Sequence, residues 1–390
     1  MRFPEFSGEW EKNNLSKFSS KITKKNKGNF INNVLCNSAN LGIIPQNDYF
    51  DRDIANADNT DSYYIIEQGD FVYNPRKSTA APYGPVNIYN GEKPGIISPL
   101  YLCFSVFNIS PSFLFYRFKS SVWHPYVYSH GDTGVRYDRV SIKDDVFFDM
   151  PIYTPTQNEQ EKIATLLFLI DERIATQNKI IEDLKKLKSA IVEMLLCNQN
   201  GESFKLRDVG CFVRGLTYAN EDVTENKAAT TVIRANNLNY GNNVDKDEVV
   251  YVNKTPTASQ ILRKGDIVIC MANGSSSLVG KNSYYPFNDG QSTIGAFCGI
   301  YRTSYPFVKW LMQSQRYKRL VYQSLQGGNG AIANLNGDDI LNMSFPLIEK
   351  EKSQSIIFAI DAIEKSLMVN KSLQRLYYTQ KSYLLKQMFI

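Results

Sequence analysis

From Gln157 to Cys197 apolar residues return in steps of four and three: Ile163, Leu167, Ile170, Ile174, then Ile181, Leu184, Ile191 and Leu195. Gln177 and Lys188 occupy the sites that complete the series, and no Gly or Pro interrupts it. A seam sustained over more than four heptads predicts a long helix packed on another helix. The C-terminal tract repeats it through Ile356, Ile360, Ile363, Leu367, Asn370, Gln374, Tyr377, Lys381, Leu384 and Met388. Its polar interruptions coincide with those of the first tract, Asn370 with Gln177 and Lys381 with Lys188, a displacement of 370 − 177 = 193. A helix of about 40 residues is about 60 Å long at 1.5 Å per residue. That exceeds one globular core, and neither tract has a partner helix within its own half. The economical arrangement packs the two tracts on each other, antiparallel, with one globular domain at each end and a pseudo-twofold relation between the halves. Polar residues in a coiled-coil seam lower stability but can fix register. Gln177 and Asn370 are assigned that role; the alternative is that both side chains lean into solvent.

Outside the helical tracts the chain is also written twice. Gly69-Asp70-Phe71-Val72 recurs as Gly265-Asp266-Ile267-Val268, a displacement of 265 − 69 = 196. Gly131 and Gly134 fall on Gly327 and Gly330, Pro151 on Pro346, Gly8-Glu9 on Gly201-Glu202 and Leu15 on Leu206. Each copy opens with a β-rich stretch of apolar and aromatic runs, such as Tyr63 to Ile66, Asp70 to Tyr73 and Asp266 to Cys270, broken by Asn, Gly and Pro. Gly69 and Gly265 are expected to make the turn before a strand. An amphipathic segment follows (112–123 and 306–323), then a glycine loop, a short strand and the long helix. The expected fold is α+β: two tandem-repeated globular domains, β-rich with helices, at 1–156 and 200–347, each followed by a long helix, at 157–199 and 348–390. The helices form an antiparallel coiled coil.

Bulk composition adds little. The 390 residues are 43% apolar and 21% charged, ordinary for a globular protein, and the net charge is +5. A mild basic excess suits a nucleic-acid partner without demanding one. No stretch approaches the ~20 apolar residues of a membrane helix. The first thirty residues lack the apolar core of a secretion signal, so a cytoplasmic location is expected. The six cysteines form no CxxC pair and only two histidines exist, so no metal site is expected and the thiols should pack as small apolar groups.

The layout and its motifs resemble the specificity subunits of type I restriction–modification systems. The carrying residues are Pro155-Thr156-Gln157-Asn158-Glu159-Gln160-Glu161-Lys162-Ile163-Ala164, Ile170-Asp171-Glu172-Arg173-Ile174 and Asn178 to Lys185. A looser copy runs through Phe345-Pro346-Leu347, Glu349 to Lys352 and Asn370 to Leu373, without a clear Glu-Gln pair after the proline. Gly69 to Arg76 and Val232 to Leu238 look like the family's target-recognition domains. The resemblance implies that each domain reads one half of a split, asymmetric DNA site. The helices would set the gap and dock two methyltransferase subunits, and separate translocase–nuclease subunits would join for cleavage. It implies no cofactor in this chain, S-adenosylmethionine and ATP with Mg²⁺ belonging to the partners.

Phosphates are gripped by Lys, Arg and backbone amides, and base edges are read by Arg, Lys, Asn and Gln. In copy one the candidates are Lys24 and Lys25 in a lysine run with Lys21 and Lys27, and Tyr73, Asn74, Arg76 and Lys77 directly after a strand. In copy two they are Asn273 and Ser275 in a small, hydroxyl-rich loop, with Arg214, Arg234, Asn236 and Asn237. The glycine loops add His130 and Arg136, and Asn329. Each has a plainer reading: a solvated lysine face, a capping asparagine, a helix-to-strand turn. Catalysis is not expected. Asn74-Pro75-Arg76-Lys77 lacks the second proline and aromatic ring of an adenine-methyltransferase motif, and no GxxxxGK[ST] phosphate loop exists. The competing reading is a two-headed protein-binding scaffold on a coiled-coil spacer. It would scatter the cations and amides and expose apolar patches on the domains.

Overall fold

A computed structural model describes residues 1–49, 60–132, 138–195, 201–326, 333–348 and 350–389. The chain divides into two compact units, Met1–Asn178 with Ser372–Ile390, and Lys179–Lys371.

In unit one an antiparallel sheet orders its strands Ser19–Lys21, Leu102–Val106, Phe71–Tyr73, Val86–Ile88. A second sheet runs Gly42–Pro45, Val34–Ser38, Gly95–Ile97, Tyr64–Ile66, its middle pair parallel. Glu11–Asn14 pairs with Pro151–Thr154. Unit two repeats this plan. Gly210–Arg214, Cys298–Thr303, Ile267–Cys270 and Asn282–Tyr284 form one antiparallel sheet. Val223–Thr224, Val250–Val252, Thr230–Ile233 and Ser292–Ile294 form the other, again with one parallel pair. Ser203–Lys205 pairs with Ser344–Pro346.

The repeated Gly-Asp-apolar motif explains itself in this setting. Gly69 and Gly265 turn the chain at φ +93° and +104°, a region costly for any side chain. The aspartate closes the turn: Asp70 Oδ2 accepts from the Glu67 amide at 2.7 Å, and Asp266 Oδ2 from the Arg263 amide at 2.8 Å. The strand that follows is apolar at every position because both its faces are covered. Phe71 and Tyr73 enter one core and Val72 another; Ile267 and Ile269 enter one core, Val268 and Cys270 another.

The expected amphipathic segments overlap helices Pro111–Lys119 and Gln315–Gln326, the first capped by Ser110 Oγ accepting from the Phe113 amide. The long tracts are helices Gln157–Met194 and Lys350–Gln387, 38 residues each. Within unit one Asp171 pairs with Lys381 and Asn178 with Gln374, so the helices run antiparallel there. Their seam residues Ile163, Leu167, Ile170, Ile174, Leu384 and Met388 join the same core as Phe71 and Tyr73. Within unit two Lys188 pairs with Glu364, and Val192, Leu195 and Ile360 join the core that holds Ile267 and Ile269. Gln177 is buried in the seam, whereas the Asn370 amide turns back to the Ser366 carbonyl of its own helix at 2.8 Å.

Cys36, Cys103, Cys270 and Cys298 are buried free thiols and Cys211 is an exposed one; Cys197 lies outside the described residues. Burial pushes the Cys103 and Cys298 thiols up to about 12. Among the described residues no helix is long and apolar enough to cross a membrane, and no group of three or more His, Cys, Asp or Glu is placed to hold a metal ion.

Candidate nucleic-acid interface

Unit two carries a concave cleft of about 570 Å³ where two loops meet. One loop leaves strand Ile267–Cys270 and supplies Ala272, Asn273 and Gly274; the other enters strand Cys298–Thr303 and supplies Gly295, Ala296 and Phe297. Tyr218, Asn220, Arg234, Ala235, Asn236 and Cys298 complete the lining. Three residues singled out from sequence, Arg234, Asn236 and Asn273, thus come together. Arg234 Nε is buried without a hydrogen-bond partner among the described residues, a costly state that an acceptor entering the cleft would relieve. Asn236 is exposed. Asn273 Oδ1 accepts from the Ser275 amide at 3.0 Å, which curls the loop and leaves Ser275 outside the lining, its hydroxyl 2.8 Å from that of Ser277.

Asn237 does not belong to this set. It is 2% exposed, its Oδ1 accepts from the Arg234 amide at 2.9 Å, and its Nδ2 donates to the Glu248 carbonyl at 3.2 Å. It holds the turn that presents Arg234 and Asn236. Arg214 is exposed at the end of its strand, opposite Gly299, and does not line the cleft.

Unit one has a smaller cleft of about 250 Å³ on the corresponding loops. Pro75, just beyond strand Phe71–Tyr73, and Pro99, Leu100 and Tyr101, before strand Leu102–Val106, line it with Lys21, Tyr64 and Ser141. Tyr73 reaches it only as core. Its ring stacks on Phe147 at 4.7 Å, its hydroxyl donates to the Tyr83 carbonyl at 2.9 Å, and burial pushes its ionisation well above the usual phenol range. Asn74 is likewise tied down, donating to the Asn37 carbonyl at 3.2 Å and accepting from the Arg76 amide at 3.0 Å. Arg76 is exposed, with Asp138 3.6 Å away, an ion pair too solvated to hold it. The Lys77 amide donates to the Asp138 carbonyl at 2.8 Å. Lys24 and Lys25 are exposed and run beside Tyr64 and Ile65, next to the cleft wall. His130 ends helix His124–His130, stacked on Tyr126 at 4.1 Å with Nδ1 2.9 Å from the Tyr126 carbonyl. Arg136 and Asn329 lie outside the described residues.

Sequence reasoning missed Tyr218, Asn220, Leu100, Phe297 and Arg139. Arg139 precedes Val140 of the cleft wall, and its Nε, like that of Arg234, is buried without a partner among the described residues. None stands in a motif; the distinguishing signal is where the loops converge.

No family model matches the chain. Over 153 residues it is 30% identical to the specificity subunit of the type I restriction enzyme EcoKI of Escherichia coli (strain K12), and equally to that of StySPI of Salmonella potsdam. Each match takes in 37% of this chain and 32% of the relative, so the chain matches about a third of the length of these curated relatives. Solved structures agree over nearly the whole chain. A chain from work on complex assembly and conformational transition of the type I R-M system superposes with a TM-score of 0.59 at 12% identity, covering 98% of this chain and 97% of that one. The type I restriction–modification S subunit from M. genitalium gives 0.58 at 14%, covering 100% and 99%. At these identities the likeness to the solved structures is one of fold.

Proposed function

Given that the chain has the fold of the type I restriction–modification specificity subunits and shares sequence with two of them, we propose that it is the DNA-reading subunit of such a system. Each unit reads one half of a bipartite, asymmetric site. The long helices set the spacing and dock two methyltransferase subunits, and translocase–nuclease subunits join for cleavage. The chain has no reaction of its own; S-adenosylmethionine and ATP with Mg²⁺ serve the partners.

The observation that carries this reading is the recurrence of a cleft on the same two loops of the same sheet in both units. Arg234, Asn236 and Asn273 gather at the cleft of unit two; in unit one Lys21 lines the cleft in an ion pair with Asp144, with Lys24, Lys25 and Arg76 close by. Arginine suits guanine and asparagine suits adenine in the major groove. The clustering favours DNA over a protein-binding scaffold, which would scatter these groups.

The test is co-expression with the methyltransferase subunits and sequencing of the methylated bases. One motif of two fixed half-sites around an unspecified gap is expected. Methylation without sequence preference, or a single uninterrupted motif, overturns the proposal.

A further inference from the structure

The loop entering the cleft carries an apolar side chain held in water in both units. Phe297 is 71% exposed and Leu100 is 62% exposed. Ladder register makes them equivalent. Each stands three residues after the end of strand Gly95–Ile97 or Ser292–Ile294. Each also stands two residues before the partner of an equivalent residue: Leu102 lies opposite Tyr73, and Gly299 opposite Ile269. Each lines the cleft of its unit.

The loop in unit two is held from several sides. The Phe297 carbonyl accepts from the Met271 amide at 2.8 Å and the Ala272 amide at 3.3 Å, and the Gly295 amide donates to the Ile233 carbonyl at 3.0 Å. Gly215 abuts it so closely that a Cβ there would lie 2.1 Å from the Gly295 oxygen. In unit one the Tyr101 amide closes the loop onto the Ser98 carbonyl at 3.1 Å. The fold therefore presents an apolar group at a set position in each cleft, beside Arg234, Asn236 and Asn273 in unit two and beside the Lys21–Asp144 ion pair in unit one. The occupant such a surface fits is a hydrogen-bonding polyanion that has an apolar feature. Duplex DNA offers one such feature on a major-groove edge, the 5-methyl group of thymine, which apolar side chains contact.

We propose that Phe297 and Leu100 are specificity-determining residues, each packing on a thymine 5-methyl group in the half-site read by its unit. This rests on the DNA-reading function proposed above. It adds that each half-site contains a T·A pair recognised through its methyl group.

The test uses the full chain in complex with its methyltransferase subunits, first to map the wild-type motif. Duplexes carrying that motif, with each thymine in turn replaced by deoxyuridine, then compete for wild type, Phe297→Ala and Leu100→Ala. For wild type, one replacement in each half-site is expected to weaken binding about fourfold, the scale of one methyl group lost from an apolar contact. Phe297→Ala should weaken binding to the parent duplex by a similar factor and lose its preference for thymine over uracil at one position only. Leu100→Ala should do the same in the other half-site. Both residues are exposed, so melting temperatures should stay at the wild-type value. The inference is overturned if no deoxyuridine replacement weakens wild-type binding, if either variant keeps its full thymine preference, or if it weakens every duplex alike. A wild-type complex with no sequence preference would instead overturn the proposed function.

Discussion

Single residues in this chain are defined by their surroundings more than by their type. Lys119 is exposed by neither motif nor pattern, yet its environment is unusual. Its Nζ donates to Asn87 Oδ1 and lies 5.0 Å from the Phe115 ring centre. Burial, aided by the nearby charge of Lys381 and opposed by Asp171, brings its ammonium down to about 8. The sign follows from linkage. Between pH 8 and about 10.5 the unfolded chain binds a proton at this lysine that the folded chain does not, so folding gains stability as pH rises through that window. Below pH 8 both states are protonated and the desolvation cost is fully present. In urea titrations, wild type should gain about 2–3 kcal/mol relative to Lys119→Met between pH 7 and pH 10. A constant difference across that range would show that the site does not carry the shift.

At the level of elements, the long helices are matched by polar contacts that recur in both units. Lys381 pairs with Asp171, whose Oδ2 accepts from the Tyr116 hydroxyl at 3.0 Å, and Lys381 lies 6.0 Å from the Tyr116 ring. Lys188 pairs with Glu364 at 2.5 Å and lies 4.8 Å from the Trp310 ring. Position 171 maps onto 364 and 188 onto 381 at the displacement of the helical repeat, 364 − 171 = 193. The lysines that interrupt each seam are therefore cross-helix ion-pair partners packed on an aromatic ring. Reversing one charge places like charges together in a half-buried site. Lys188→Glu should destabilise unit two, and adding Glu364→Lys should restore part of the loss. A double-mutant cycle by denaturant titration should give a coupling of about 1 kcal/mol. Additive effects would mean that the pair contributes nothing to helix register.

For the whole molecule, the proposed division of labour separates reading from spacing. Four residues add about 6 Å of helix, close to two base pairs at ~3.4 Å each, and an insertion of that length is a stutter that shifts the heptad phase and locally unwinds the coil without reversing its seam. Four residues placed after Thr176 and four after Leu376, at one level of the antiparallel pair next to the Asn178–Gln374 contact in unit one, should lengthen the gap and leave both half-sites unchanged. Exchanging residues 1–156 for another recognition domain should change one half-site only. Methylation-site sequencing reads both outcomes. A changed half-site with a constant gap would make the helices part of the reading surface.

Periodicity and repetition determined the coarse plan of this protein. An uninterrupted heptad pattern without Gly or Pro leaves a chain few options but a long helix, and the two helices form where the pattern places them, 157–194 and 350–387. Gly69 and Gly265 mark their turns because only glycine takes that backbone region freely. Which polar residues face outward was decided by the tertiary fold. Asn236 and Asn237 are neighbours of the same type, yet the 3₁₀ turn at Ala235–Asn237 buries the second and exposes the first. Tyr73 ends a strand in a way that suggests a surface, but its ring packs on aromatics of two other segments, stacked on Phe147 and edge-on to Trp123. The equivalence of Leu100 and Phe297 also lay beyond sequence reading. The glycine motifs repeat at 196 residues and these two positions at 197, so a local comparison sets Phe297 against Tyr101. Hydrogen-bond ladders remove that ambiguity, because a strand shifted by one residue would turn every side chain to the opposite face and empty both cores.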